Sequence, residues 1–159
     1  IDSYKILNKI SEFSDFSEDL VIPTMEECAK FSEEVLAPIN AIGDQQGATI
    51  DNGVVKMPQE FVDAYKKFAE AGWASISLPE EIGGGGQPIT LSGGTLEILS
   101  TANLAFGLAP GLSAGAISAI NFHGSQEQKD TFLPKLVSGE WTGTMNLSEP
   151  QSGLSLIHI

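Results

Sequence analysis

The residues of this sequence best suited to chemistry lie near its end, in the stretch Thr144–Gly153. Residues alternate in type from Trp141 to Ser148, and this period of two predicts a β-strand. The strand runs into Ser148-Glu149-Pro150, a hydroxyl-acid-proline turn that leaves backbone N–H and C=O groups free beyond the strand edge. Such groups can pair with the polar edge of a planar ring. An ordinary exit from a strand into a turn explains the same residues without any ligand.

A run of four glycines, Gly83–Gly86, is a second candidate, because glycine-rich loops cradle phosphates. A P-loop requires Gly-Lys-Ser/Thr after the glycines, whereas Gln87 and Pro88 follow here. A dinucleotide-binding fingerprint requires a preceding strand and a further glycine at the position of Pro88. We therefore interpret the run as a flexible surface turn that serves at most as the rim of a ligand pocket.

Three single residues are also candidates for chemistry. Glu97 lies in a nearly apolar predicted helix, where a buried carboxylate would be a functional candidate, although such groups are more often paired. His123 falls at a predicted helix C-terminus, which favours a cation for structural reasons. Cys28 has no nearby His and is interpreted as a small buried hydrophobe. We predict no catalytic residue and no metal site in this chain.

The charge balance limits the partners. The 159 residues carry 8 basic and 21 acidic side chains, a net charge of −13, and every basic residue is Lys. This charge repels phosphate, so we expect no nucleic-acid binding and no attraction to an anionic membrane surface. A single Cys excludes an internal disulfide. We find no continuous apolar run long enough to predict a membrane span and no signal-peptide pattern, and we therefore expect a cytoplasmic protein.

Helical periodicity covers most of the chain and predicts helices over residues 22–39, 58–71, 91–102, 105–122 and 126–138. Capping-box spacing predicts helix starts at Thr24 and Ser125, and Pro58 fits a first helical turn. The helix over 91–102 is nearly apolar all round, and we expect it to be buried. Pro134 should kink the last helix. The predicted core comprises Ile22, Met25, Val35, Phe61, Phe68, Ile98, Leu99, Ile117, Ile120, Phe132 and Leu136.

The fold class predicted from these elements is mainly α: a helical domain followed by one strand. We divide the chain into a loose lead-in at 1–21, a helical domain at 22–139 and the start of a truncated β domain at 140–153. Residues 154–159 are interpreted as an unrelated appended tail. A lone strand cannot satisfy its ladder hydrogen bonds, and this is why we expect the chain to stop just inside a second domain.

Several landmarks in one order resemble the acyl-CoA dehydrogenase family. They are Ala71-Gly72-Trp73, the glycine-rich loop, His123–Lys129, Leu133–Trp141 and Met145–Gly153, and the resemblance as a whole covers roughly residues 25–153. The sequence Gly139–Met145 looks most like that of the 3-methylthiopropanoyl-CoA dehydrogenase branch of the family. An ordered series of this kind is far more specific than any single motif.

The resemblance implies a subunit with an N-terminal helical domain, a middle β domain and a C-terminal helical bundle around FAD. By position, Met145, Asn146, Leu147 and Ser148 match the strand beside the flavin ring, and Ser148 replaces the usual Thr. The family sequence after Gly153 is absent here. The implied reaction is α,β-dehydrogenation of an acyl-CoA thioester, with the carboxylate base outside this chain. Further implications are transfer of electrons to an electron-transfer flavoprotein and a homo-oligomeric assembly.

Two alternatives stay open at this point. One is a non-catalytic helical module that binds a partner through an exposed apolar face. The other is an acyl-CoA oxidase or a nitroalkane oxidase of the same fold. Whether the enzyme is a dehydrogenase or an oxidase, we expect this chain alone to be inactive, because it contains no catalytic base and only one strand of the flavin site.

Overall fold

A computed structural model describes residues 3–146 and 148 of the chain. Within them the fold is mainly helical, as predicted, and its only sheet has two short strands. The predicted lead-in contains a short helix, α1, and a 3-10 turn at Ser11–Phe13. The helices are α1 (Tyr4–Leu7), α2 (Glu18–Phe31), α3 (Asn40–Gln46), α4 (Gln59–Glu70), α5 (Ile89–Ala102), α6 (Leu104–His123) and α7 (Gln126–Val137).

Helix α2 begins earlier than the capping-box spacing predicted. Its N-cap is Ser17 in extended conformation, and Glu18 and Asp19 place negative charge at the positive end of the helix. Thr24 lies inside the helix, where its hydroxyl donates a hydrogen bond to the Leu20 carbonyl (2.7 Å). The predicted cap at Thr24 is wrong because a threonine hydroxyl within a helix can bond back to the preceding turn. After α2 the chain continues through a π-helical turn, Ser32–Leu36, and a 3-10 turn, Ala37–Ile39.

A small β-hairpin lies between α3 and α4. Strand β1 (Thr49–Asp51) pairs with β2 (Val54–Lys56) in antiparallel register, with Ile50 opposite Val55. Asn52 and Gly53 connect the strands, and both have positive φ, 51° and 79°. Two such residues form the type I′ turn that matches the twist of a hairpin. Each strand has three residues, too few for periodicity to be recognised from sequence.

Pro58 opens α4 as predicted, and Gly72 follows its end with φ of +77°. The main core cluster joins α4 to α2, α5 and α6. Its centre is aromatic: the rings of Phe68 and Phe106 meet edge to face, with centroids 5.5 Å apart. The buried members are Cys28, Leu36, Ile39, Phe61, Ala64, Phe68, Leu99 and Phe106.

The two apolar helices over 89–123 are separated at Asn103, which is buried with only 1% of its surface exposed. Its side-chain oxygen accepts a hydrogen bond from the Phe106 amide (3.0 Å), so Asn103 caps α6. Its side-chain nitrogen donates to the Leu36 carbonyl (3.2 Å), 67 residues away in sequence. One buried amide therefore starts α6 and ties it to the chain after α2.

Helix α7 closes the domain against α6. Ser125 and Gln128 form the predicted capping box, with both reciprocal hydrogen bonds present. The helix runs without interruption through Pro134 to Val137. A second buried cluster holds it in place through Ile117, Leu133, Leu136 and Val137.

Two predicted core residues are instead at the surface. Ile22 is 46% exposed and Phe132 is 40% exposed, so both core predictions are wrong. Helix α5 is also not buried all round, since Ile89 (76%) and Leu96 (47%) face outward. Helical periodicity predicts which face of a helix is apolar, but it does not predict whether other elements cover that face.

Helix α6 carries much exposed apolar surface. Leu104 and Leu108 are each 62% exposed, and Phe122 is 78% exposed. Helix α6 is long and apolar enough to cross a membrane, judged by length and composition alone. Core helices of soluble proteins meet the same criterion. One such helix is weak evidence of a membrane span and does not contradict the prediction that none is present.

The predicted strand over 141–148 is not a strand in the residues that the structure describes, 141–146 and 148. The physical reason is that this segment has no neighbouring strand among the described residues to pair with. Within the described part of the chain the only strands are β1 and β2, and they pair with each other. A segment without a neighbouring strand cannot form a ladder.

Candidate functional site

The candidate site is the segment that follows α7, and a sharp bend at Gly139 positions it. Gly139 is buried and has φ of +75°, a conformation that favours glycine. A Cβ at this position would lie 2.8 Å from the Cβ of Ala69 on α4. The Trp141 amide then donates to the Lys135 carbonyl (2.9 Å), which turns the chain back along α7.

Charged and aromatic side chains brace the bend on its outer side. The Lys135 ammonium pairs with the Glu140 carboxylate (2.8 Å) and lies 4.7 Å from the centre of the Trp141 ring. The ring of Phe132 packs against Trp141, with centroids 6.1 Å apart. All of these side chains are partly exposed, so each contact stabilises the bend only modestly.

Gly143 attaches the segment to α6. Its amide donates to the hydroxyl of Ser113 (3.0 Å), and that hydroxyl donates to the Ala109 carbonyl (3.2 Å). Ser113 is only 6% exposed. A Cβ on Gly143 would lie 2.5 Å from the Cβ of Ala116, so the backbone lies directly on the helix. We did not select Ser113 from sequence, because a serine in an apolar helix resembles any other small packing residue.

Beyond Gly143 lie the residues predicted to contact a flavin. Met145 is 63% exposed, and Asn146 and Ser148 are also exposed. Leu147 lies outside the described residues. No backbone hydrogen bond joins 144–146 to another described part of the chain. The donors and acceptors at this segment are therefore peptide groups, a carboxamide and a hydroxyl, all open to an incoming partner.

This donor set fits the polar edge of a flavin ring, which presents both hydrogen-bond donors and acceptors. It does not fit a pyrophosphate by itself, because it carries no cation. The segment can therefore flank the ring of FAD, while its phosphates would need other groups. The described residues would form only one side of such a site, and Gly143 and Ser113 hold them on α6.

The single-residue candidates lie elsewhere and are not brought together. Glu97 is exposed, because it lies on the outward face of α5, so the expectation of a buried carboxylate is wrong. His123 is exposed at the end of α6. Cys28 is fully buried, as interpreted from sequence, and donates to the Thr95 carbonyl (3.6 Å). Burial raises the pKa of this thiol to about 11, so the thiol is unsuited to nucleophilic chemistry.

The glycine-rich loop uses its amides internally. Gly84, Gly85 and Gly86 donate to backbone carbonyls of the preceding turns, each at 2.9 Å. A Cβ on Gly84 would collide with the Leu78 carbonyl, so this glycine is needed for close backbone approach. Amides used in this way are not available to cradle a phosphate.

The fold defines a class of protein domain: a helical domain with an exposed, unpaired segment beyond its last helix. Residues 23–140 match the family description "Acyl-CoA dehydrogenase, N-terminal domain". The chain is 41% identical over 150 residues to the 3-methylmercaptopropionyl-CoA dehydrogenase of Ruegeria pomeroyi, covering 94% of this chain and 26% of that protein. The chain belongs to the acyl-CoA dehydrogenase family.

Solved structures agree with this assignment. An acyl-CoA dehydrogenase from Bacillus anthracis, complexed with FAD, superposes with a TM-score of 0.69 at 26% identity, covering 88% of this chain and 22% of that one. A structure described as the electron transferring flavoprotein of Acidaminococcus fermentans matches with a TM-score of 0.69 at 27% identity, covering 86% and 33%. The chain thus spans about a fifth to a third of the length of these relatives.

Proposed function

We propose that this chain is the N-terminal domain of an FAD-dependent acyl-CoA dehydrogenase whose substrate is a short thioether acyl-CoA of the 3-methylthiopropanoyl type. The observation that carries the proposal is the 41% identity across 94% of the chain to a relative named for that substrate. The fold agrees, since the FAD-bound relative superposes over 88% of the chain.

In this proposal the segment after Gly143 lies along the flavin. Met145, Asn146 and Leu147 flank the ring with backbone and side-chain groups, and the Ser148 hydroxyl donates a hydrogen bond to it. The bound flavin supplies a hydride acceptor for the β-carbon of the acyl group. This chain's own part is to hold the ring edge and exclude water from one side. The base that removes the α-proton belongs to another part of the enzyme, as the family resemblance implies.

The remaining assignments are part of the same proposal. Electrons pass to an electron-transfer flavoprotein, a partner suggested by the Acidaminococcus structure. The enzyme is a cytoplasmic homo-oligomer. The 159 residues alone are inactive, and the exposed leucines of α6 are covered by the rest of the enzyme. Residues 140–153 begin its β domain, and residues 154–159 are foreign to it.

A domain exchange tests the proposal. The matching 150-residue segment of the Ruegeria pomeroyi enzyme is replaced by the corresponding residues of this chain. We expect the hybrid to retain FAD, seen as visible absorption after gel filtration, and to dehydrogenate 3-methylmercaptopropionyl-CoA in preference to butyryl-CoA. A folded hybrid that holds no flavin contradicts the proposed site. A hybrid that holds flavin but prefers butyryl-CoA contradicts the substrate alone.

The isolated chain provides the second arm. Purified with excess FAD, it should elute without yellow colour and should not oxidise an acyl-CoA. A yellow monomer that bleaches on adding substrate would show that the base and the flavin site lie within these residues, against the proposal.

A further inference from the structure

An apolar cavity lies away from the predicted flavin segment. It has a volume of about 620 Å³ and lies between α3, α4, the start of α6 and the bend after α7. This volume is within the range of about 300–1,000 Å³ that is typical of small-molecule sites. None of Met145, Asn146 and Ser148 lines it. The cavity therefore shares the bend at Gly139 and Glu140 with the site already described, but none of the described residues predicted to contact the flavin.

Aromatic rings make one wall of the cavity rigid. The ring of Phe106 on α6 lies 6.3 Å from that of Phe61 and 6.4 Å from that of Tyr65, both on α4. Gly43 permits this arrangement, because a Cβ there would lie 2.5 Å from the Phe61 ring. The wall is thus set by tightly packed groups on three helices, and its shape does not depend on a ligand.

Only a few polar groups reach the cavity. The Tyr65 hydroxyl has no hydrogen-bond partner among the described residues, and its ring is partly buried against Phe68 and Phe106. Lys66 is exposed and forms no ion pair with any residue that the structure describes. Glu140 also lines the cavity, but its carboxylate is paired with Lys135.

These groups are complementary to one kind of ligand. An apolar wall favours a hydrocarbon body, because burial contributes about 25 cal/mol per Å² of apolar surface. The unpaired ammonium of Lys66 and the free hydroxyl of Tyr65 are both donors, and together they match a carboxylate. The Glu140 carboxylate would repel such a head group, and its pairing with Lys135 reduces this repulsion.

We propose that the cavity between α4 and α6 binds a carboxylate with an unbranched apolar chain, whose head group contacts Lys66 and Tyr65. This inference goes beyond the proposed function and does not depend on the flavin. A chain with a net charge of −13 repels free anions in general. Binding of a fatty carboxylate therefore requires both the apolar cavity and the local cation.

Calorimetric titration of the 159-residue chain tests the proposal, with octanoate below its micellar concentration and octanol as the uncharged probe. We expect one octanoate per chain, bound more tightly than octanol. Replacing Lys66 by glutamine should weaken octanoate binding about two- to fivefold, as expected for one partly exposed charge contact, and leave octanol binding unchanged. Replacing the adjacent Lys67, which does not line the cavity, is the matched control and should change neither.

A second pair of variants tests the location. Ala105→Trp fills the cavity from α6 and should abolish binding of both probes. Ala119→Trp adds the same side chain at an exposed position of α6 outside the cavity and should leave binding intact. Circular dichroism establishes that each variant is folded, and the conservative Lys66 variant serves as the test if Ala105→Trp is not.

Three results would overturn the proposal. The first is the absence of octanoate binding to the unaltered chain. The second is an octanoate affinity that does not respond to Lys66→Gln. The third is a change of oligomeric state, seen by sedimentation, in folded Ala105→Trp alone, because it would show that a second copy of the chain occupies the cavity.

Discussion

Replacing Gly143 by alanine tests how the segment after α7 is held on α6. The added Cβ would lie 2.5 Å from the Cβ of Ala116, whereas carbon atoms pack at about 3.5–4.0 Å. The segment must therefore move away by about 1 Å. Such a shift lengthens the 3.0 Å hydrogen bond from the Gly143 amide to Ser113 beyond the usual range.

The expected cost follows from these two contacts. A lost neutral hydrogen bond costs about 1 kcal/mol, and overpacking costs about 1–3 kcal/mol if the structure cannot adjust. The segment lies at the edge of the domain and can detach. We therefore expect the free energy of local opening of the segment to fall by about 1 kcal/mol. The global free energy of unfolding should change little.

Amide hydrogen exchange at residue 143, measured by NMR, reports the local opening. Acrylamide quenching of the nearby Trp141, already 40% exposed, reports the same event independently. We expect about fivefold faster exchange for Gly143→Ala, because a local cost of about 1 kcal/mol changes the opening equilibrium by about that factor. Ser113→Ala should act in the same direction, because it removes the acceptor without adding bulk.

A compensating substitution makes the test specific. Ala116→Gly removes the clashing methyl group, at a cost of about 1 kcal/mol in helix propensity. Combined with Gly143→Ala, it should restore part of the exchange protection and give a coupling of at least about 0.5 kcal/mol. Ala119→Gly carries the same propensity cost at an exposed position of α6. Equal rescue by Ala119→Gly, or unchanged exchange in Gly143→Ala, would refute the reasoning.

Three further predictions concern the scaffold. The Cys28 thiol should resist a disulfide reagent at pH 8 until the chain unfolds, because it is fully buried. Its folded pKa of about 11 exceeds the usual value of 9.0, so the thiol's contribution to stability should be complete below pH 9 and be lost as the pH rises towards 11. This dependence on pH should be absent from Cys28→Ala. Ser125→Ala should lower the free energy of unfolding in urea by about 1 kcal/mol through loss of the cap on Gln128, and an unchanged midpoint would contradict that role. Gly84→Ala should destabilise the chain by more than about 1 kcal/mol, since its Cβ meets the Leu78 carbonyl, whereas a flexible loop would tolerate it.

Local signals predicted the elements that local interactions form. Ser125 and Gln128 cap α7 through reciprocal contacts three residues apart, and such contacts can be read from spacing alone. Pro58 and Gly72 bound α4 for equally local reasons. Thr24 shows the limit, because its spacing to Glu27 suits a cap, but the preceding turn offers its hydroxyl another acceptor.

The candidate site was predicted only as a stretch of residues. Met145–Ser148 were selected through family resemblance, and nothing in their own pattern distinguishes a ligand edge from a turn. Ser113 could not be selected, since its role depends on Gly143, 30 residues away, lying on α6. Asn103 was missed for the same reason: one of its hydrogen bonds is local, and the other crosses 67 residues.

The sequence by itself determined the helical class, most helix boundaries and the family, because periodicity, caps and ordered landmarks are properties of neighbouring residues. Tertiary structure decided which apolar faces are covered. Ile22 and Phe132 follow the helical period yet lie at the surface, whereas Asn103 is polar yet almost fully buried. It also decided that residues 141–146 form no strand, because a strand exists only beside a partner, and a partner is supplied by the fold rather than by the segment itself.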